Sequence, residues 1–298
     1  MEWILEEPEL SLRKAEFFSL INLWPNTADL DVSGWLSNFN EGERILAGHL
    51  LSGFVYLNRS VVSALFISAF HQLSTSPYLT GPTDSRRENW EWFRQNVVVT
   101  HVEGETPSTT DSGHIFARLA RTALGIPEAN IVTPERALRI LSSGSGRPIV
   151  FVDDFLGSGS QFSATWERFY SISSAHESNF KREVSYHSTS IYFIPLIATK
   201  SGVDCVAEVA PQVSICAAHV LDGRDSALTP DSQVWPEELR EQGVEMIHAA
   251  SSRAGIQGDD WQGFGKLGLC LSFEHSTPDA TLPIFYHEEN WHPLIKRT

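Results

Sequence analysis

The sequence predicts an α/β protein: an open parallel sheet of about five strands with helices on both faces, plus an N-terminal helical cap and a C-terminal extension. Three observations carry this. Between about Val97 and Val220, short apolar runs alternate with segments of helical spacing, the order expected of strands joined by helical crossovers. The runs Ile149 to Val152 and Ile191 to Ile197 are rich in β-branched residues and lack polar alternation, as strands covered on both faces do. One of these runs, from Arg147 to Phe162, reads R-P-I-V-F-V-D-D-F-L-G-S-G-S-Q-F. It passes from apolar residues to two adjacent aspartates, then a glycine–serine turn, then a helical segment.

Residues 1–95 are read as the cap. Ile45, Leu46, His49, Leu50 and Phe54, then Val61, Leu65, Phe66, Ala69 and Phe70, recur at helical spacing between Trp35 and Leu73. Asn58-Arg59-Ser60 breaks the pattern, with Ser60 a candidate N-cap, so two or three packed helices are expected. Thr75 to Arg87, rich in Pro, Gly, Ser and Thr, reads as a loop. Residues 96–222 are read as the α/β core. Val97-Val98-Val99 is its first strand, and a polar loop runs from Glu103 to Asp111. Asp111 or Ser112 caps a helix to about Leu124, which Gly125 ends. Asn130-Ile131-Val132 is a second strand, and Thr133-Pro134 opens a helix with proline at its first position. Pro148 to Val152 is a strand ending at the acid pair, with a helix starting near Gln161. Ile191 to Ile197 and Val213 to Val220 are two more strands. Residues 223–298 form the extension: a helix over Trp235 to His248, a turn and strand over Gly263 to Phe273, and an extended piece over Thr277 to Tyr286.

Charge and cysteine content narrow the function. The 298 residues carry 22 basic against 37 acidic side chains, a net charge of −15. A broad phosphate-gripping face needs clustered Lys and Arg, so direct nucleic-acid binding is not expected. A helix-turn-helix regulator over Trp35 to Leu73 remains an alternative with a testable property, salt-dependent DNA binding. Cys205, Cys216 and Cys270 stand far apart, have no metal-ligand spacing and are odd in number, which reads as free thiols in a reducing cytosol. The start, M-E-W-I-L-E-E-P-E-L, lacks the basic region of a signal peptide, and the apolar segment Val61 to Phe70 is too short to span a bilayer. A cytoplasmic protein with no membrane partner is expected.

In an open parallel sheet, ligands bind beyond the carboxyl ends of the strands. Asp153 and Asp154 lie towards such an end, and Gly157-Ser158-Gly159-Ser160 leads into a helix start. Backbone N–H groups and the positive end of the helix dipole make an anion site there, and glycine lets the backbone approach it. Two carboxylates beside a phosphate cradle point to a phosphorylated sugar with Mg²⁺. The competing reading is a strand-end turn with a solvated acid pair.

Phe151 to Ser160 resembles the phosphoribosyl-pyrophosphate (PRPP) loop of type I phosphoribosyltransferases: four apolar residues, two acids, three variable residues, Thr-Gly, one variable residue and Thr. The resemblance covers about Val97 to Val220. It implies that Asp153 and Asp154 hold the ribose hydroxyls and Mg²⁺. It also implies that Gly157, Ser158, Gly159, Ser160 and Gln161 surround the 5′-phosphate. A second loop of the family grips pyrophosphate at a helix start after the first strand. Thr109-Thr110-Asp111-Ser112-Gly113 is similar in placement, so Ser112 and Gly113 are assigned to it, with Arg118 or Arg121 in support.

The chain also departs from the pattern. Ser158 replaces the first Thr, Gln161 stands where the last Thr belongs, and Gly157 occupies the position at which purine-salvage members place an acidic base. No closing loop is evident between Val132 and Pro148. The helical start and the tail T-P-D-A-T-L-P-I-F-Y resemble a bacterial branch found in antiphage conflict systems, some encoded beside retrons. That likeness implies an antiviral defence role and a protein partner such as a reverse transcriptase. The expected activity is binding of PRPP or a nucleotide with Mg²⁺, and making or breaking the bond at ribose C1. The alternative is a non-catalytic nucleotide sensor acting through a protein partner, which Gly157 and the missing loop favour.

Other motifs carry less. Gly263 to Gly268 fits G-x-G-x-x-G without the strand before and helix after that a dinucleotide site needs. His287 and His292 are one residue too far apart for a zinc-binding helix and are read as a surface tail. His101, His114 and His219 read as ordinary structural or surface histidines. Of nine tryptophans, most are read as packing the cap on the core, with Trp90, Trp92, Trp235, Trp261 and Trp291 the ones to inspect near a cleft.

Overall fold

The computed structural model describes residues 7–25, 29–75, 79, 84–104, 113–174 and 176–297. Among them, in chain order, are α1 (Glu7–Leu20), α2 (Val32–Leu36), α3 (Arg44–Ser52), β1 (Val55–Leu57), α4 (Arg59–Gln72), α5 (Arg86–Asn96), β2 (Val98–His101), α6 (Gly113–Thr122), α7 (Pro134–Ser142) and β3 (Ile149–Leu156). Then follow α8 (Ser160–Glu167), β4 (Tyr170–Ser173), β5 (His176–Ser178), α9 (Phe180–Glu183), β6 (Ile191–Thr199), α10 (Lys200–Val209), β7 (Val213–Ile215), β8 (His219–Leu221), α11 (Arg240–Arg253) and β9 (Leu271–Phe273). No helix among the described residues is long and apolar enough to cross a membrane.

The chain divides into two compact units. One joins residues 1–62 to 221–298, and the other is the continuous segment Ser63–Val220. The acidity is uneven: the terminal unit has 22 acidic against 10 basic side chains, the central unit 15 against 12. An anionic ligand of the central unit therefore meets little net repulsion from the unit that holds it.

In the terminal unit, α1 packs on α3, with Ser11 Oγ donating to the Gly48 carbonyl at 2.8 Å. β1 pairs in parallel with β9, Val55 opposite Leu271. Trp24, Trp35, Phe39 and Phe54 share one core with Phe285, Trp291 and Ile295. The indole N–H groups of Trp35 and Trp291 both donate to the Ile284 carbonyl at 2.8 Å. The stretch His287 to His292, read as a surface tail, is mostly exposed, and Trp291 alone of its six residues is buried, in this core. β1 also separates α3 from α4, so these helices are not joined by the short turn of a helix-turn-helix reader. α4 begins at Arg59 with Asn58 as its cap, Oδ1 accepting the Val61 N–H at 2.9 Å, rather than at Ser60.

In the central unit, the sheet runs β2-β3-β6-β7, with β8 also paired to β6. The β2–β3, β3–β6 and β6–β7 pairs are all parallel, and helices flank the sheet. All nine residues of β6 are buried. Its successive side chains leave on opposite faces: Tyr192 meets Phe93 of α5 edge-on, while Phe193 stacks on Phe162 of α8 at 4.6 Å. α7 forms as its signals predict, Thr133 Oγ1 accepting the Arg136 N–H and Pro134 entering the first turn. The expected strand over Asn130 to Val132 is reduced to a 3₁₀ turn and a single bridge, Val99 with Ile131, since the Asn130 and Ile131 N–H groups bond to the Pro127 and Glu128 carbonyls; the Asn130 side chain is used elsewhere.

That use is a clamp at the amino ends of the strands. Arg147, before β3, donates to the Asn96 carbonyl at 2.8 Å and to Asn130 Oδ1 at 2.6 Å, and Asn130 Nδ2 donates to the Gln95 carbonyl at 2.8 Å. Burial holds the Arg147 guanidinium below its usual pKa, yet two charge-assisted bonds keep it in place. Arg147→Met should lower unfolding free energy by about 2 kcal/mol, the range for hydrogen bonds to a charged group. Urea unfolding measures this; an unchanged midpoint would remove the clamp from the fold's stability.

Candidate functional site

Parallel pairing brings the carboxyl ends of β2, β3 and β6 to one edge of the sheet. β3 carries the acid pair into this edge. It stays a strand through Leu156, with Asp153 in register with Pro195 and Phe155 with Ile197. Asp153 and Asp154 therefore lie within the strand, before the turn that follows it. Both are buried, 5% and 7% exposed, and Asp153 Oδ1 accepts the Asp154 N–H at 2.9 Å. Carboxylates this buried do not form the solvated acid pair of the competing reading.

The turn that follows opens α8. Gly159 is its N-cap residue at φ 87°, left-handed, and contributes no side-chain cap. Ser158 Oγ donates to Ser160 Oγ at 3.0 Å and lies 3.4 Å from the Ser160 N–H. Ser160 and Gln161 are exposed at the first turn, and Gly157 and Ser158 are half-buried. The site residues from Asp153 to Gln161 are thus brought together: two carboxylates, serine hydroxyls and the N–H end of a helix. Such hard oxygen donors suit Mg²⁺, which binds through one or two carboxylates and a substrate's phosphates.

Gly157 stands where the acid is missing, and a Cβ there would come within 2.8 Å of the half-buried Phe155 ring, which would have to shift. Gly159 packs as closely on α10, its notional Cβ 2.8 Å from Cys205 Sγ. Cys205, Cys216 and Cys270 are all free thiols, and burial raises the pKa of Cys216 and Cys270.

At the end of β2, His101 is buried and in register with Val152, one residue before the acid pair. α6 begins at Gly113 and packs on β2 and β3. Ser112, like Thr109 to Asp111, lies outside the described residues. The chain leaving β2 is stapled to α8. Thr165 Oγ1 accepts the Glu103 N–H at 3.0 Å and lies 3.1 Å from the Glu103 and Gln161 carbonyls. Arg168 donates to Glu103 Oε2 at 2.7 Å and to the Gly104 carbonyl at 2.9 Å, and Tyr170 donates to the same Glu103 oxygen at 2.6 Å. Sequence reasoning missed this cluster because Glu103 and Gly104 meet the α8 and β4 residues across 62 to 67 positions.

Burial first, and then the Glu103 bond, raise the Tyr170 pKa; burial and the nearby Glu274 and Asp29 push Tyr56 up to about 12. Each phenol is protonated in the folded chain. This stabilisation is whole below an unfolded tyrosine's pKa of about 10, and is lost as pH rises through the folded values. Tyr170→Phe should cost about 1–2 kcal/mol at neutral pH and flatten the alkaline fall of stability above pH ~10. Denaturant titrations at a series of pH values read both, and an equally steep alkaline fall in wild type and variant would count against the assignment.

A family model described as PRTase-CE matches residues 32–297. No curated protein matches the chain. Among solved structures, "Structure of AQ2163 protein from Aquifex aeolicus" is 14% identical, covering 63% of this chain and 80% of that one at a TM-score of 0.31. At that score the likeness bears on neither fold nor function.

Proposed function

The chain belongs to the PRTase-CE family, a phosphoribosyltransferase-like family, and from that premise we propose that the β3–α8 turn binds PRPP or a related nucleotide with Mg²⁺ for chemistry at ribose C1. One observation carries the reading: a buried acid pair runs, within one strand and one turn, into a helix N-terminus whose N-cap residue is a left-handed glycine. Asp153 and Asp154 would accept the ribose hydroxyls and fix the sugar while positive charge develops at C1. The N–H groups of residues 158–161 and the serine hydroxyls would take the 5′-phosphate. When bound, Mg²⁺ would supply positive charge beside the pyrophosphate, held by the same two carboxylates.

Gly157 supports a second reading. Where an acid would act as base the chain has glycine, so the site as built favours binding over base-assisted transfer. A nucleotide sensor working through a protein partner meets that description. The resemblance of the helical start and the tail to antiphage conflict proteins makes cytoplasmic defence, beside a retron reverse transcriptase or a similar partner, the biological setting we infer. Incubating the protein with PRPP, Mg²⁺ and a mixture of nucleobases and nucleotides, then reading products by mass spectrometry, tests the enzymatic form. New nucleotide or released pyrophosphate supports turnover. Protection of the protein by PRPP without product supports the sensor, and neither result removes both.

A further inference from the structure

The β3–α8 turn rests on a residue outside the acid–glycine motif. Thr199 ends β6, the strand beside β3, and is 3% exposed. Its hydroxyl donates to the Gly157 carbonyl at 2.6 Å and accepts the Gly202 N–H at 3.0 Å as the cap of α10. It also lies 3.0 Å from Ser201 Oγ. The peptide joining Gly157 to Ser158 is planar and trans, so its C=O and N–H point in opposite directions. With the carbonyl held on Thr199, the Ser158 N–H is aimed away from Thr199. Gly202 closes the contact, since a Cβ there would fall 2.2 Å from the Gly157 oxygen. A helix cap needs only the bond to Gly202; the bond to Gly157 reaches across to another strand's turn.

We propose that Thr199 is a positioning residue of the phosphate-binding turn, acting through Gly157 to set the direction of the first N–H that the phosphate meets. This rests on the turn being a phosphoribosyl site. The test is equilibrium binding of PRPP with MgCl₂, at a temperature where circular dichroism shows every variant folded. Thr199→Val should weaken binding about tenfold, the change that one hydrogen bond's free energy makes, and Thr199→Ser should stay within about twofold of wild type. Gly202→Ala, which keeps the hydroxyl but drives a methyl into the Gly157 oxygen, should weaken binding as much. Thr133→Ala removes the cap of α7 in the same unit and should lower Tm without changing affinity. Thr199→Val binding like wild type, while the Asp153→Asn, Asp154→Asn double variant does not bind, overturns the positioning role and leaves the site standing. Wild type that fails to bind PRPP, or a double variant that binds as well, overturns the site and the role of Thr199 with it. If Thr199→Val does not fold, Gly202→Ala decides, and unchanged affinity in it overturns the proposal.

Discussion

Replacing Asp153 and Asp154 together by asparagine should leave the fold intact and abolish the stabilisation that PRPP with Mg²⁺ gives the wild type. Asparagine keeps the shape of each side chain and a carbonyl oxygen, so the bond from the Asp154 N–H to the side chain of residue 153 survives. What goes is the negative charge that Mg²⁺ needs and the strong acceptors that the ribose hydroxyls need. At ligand a hundred times its Kd, the wild type should gain about 2.7 kcal/mol. For a chain of this size that is several degrees in Tm if melting is reversible. Thermal shift of both proteins, with and without PRPP and Mg²⁺, is the measurement. Equal shifts would sink the site. A double variant that does not fold would mean that the buried carboxylates serve the fold instead.

Trp166→Ala should be the most destabilising single change in α8, costing about 3–5 kcal/mol in urea unfolding. Trp166 is fully buried, stacked within 20° of both Phe162 and Phe180 and edge-on to Phe151. With Phe162, which stacks on Phe193, it holds α8, and so the turn at its start, against the sheet. Trp166→Phe should cost much less, about 1–2 kcal/mol. The indole N–H has no hydrogen-bond partner among the described residues, and deleting a buried unsatisfied donor returns part of the lost burial. If phenylalanine proves as costly as alanine, the indole has a partner that this packing does not contain.

Much of the sheet was legible because its signals are local. Thr133-Pro134, the apolar run into Asp153 and the run from Ile191 each state their element in a few residues, and the structure places α7, β3 and β6 there. Elements whose stability comes from elsewhere were not. α1 is amphipathic only weakly, and its buried residues Ser11 and Ala15 are small and unremarkable in sequence. The β4–β5 hairpin is short, polar on its outer positions and held by Tyr170 and Phe180 packing together. The run from Val213 to Val220 divides into β7 and β8, because Cys216 and Ala218 each bond to a different carbonyl of β6, on Phe193 and Leu196. For the candidate site, the motif residues stand side by side in the sequence and resemble the PRPP loop, so they could be singled out there. Thr199 and Gly202 could not: each looks like an ordinary helix start, and only the pairing of β6 with β3 sets them against Gly157.

The division of the chain also has a consequence for its synthesis. The central unit is one unbroken segment, so all of its strands have left the ribosome soon after Val220 emerges, and it can close on itself during translation. The terminal unit cannot. Trp24, Trp35, Phe39 and Phe54 are made early, yet they share their core with Phe285, Trp291 and Ile295, made more than two hundred residues later. While the ribosome crosses the central unit, roughly 10 s or more at the usual elongation rates, this aromatic surface has no native cover. Overexpression at high temperature should therefore send the nascent chain first into chaperones and then into aggregates through residues 1–62, with the sheet already formed.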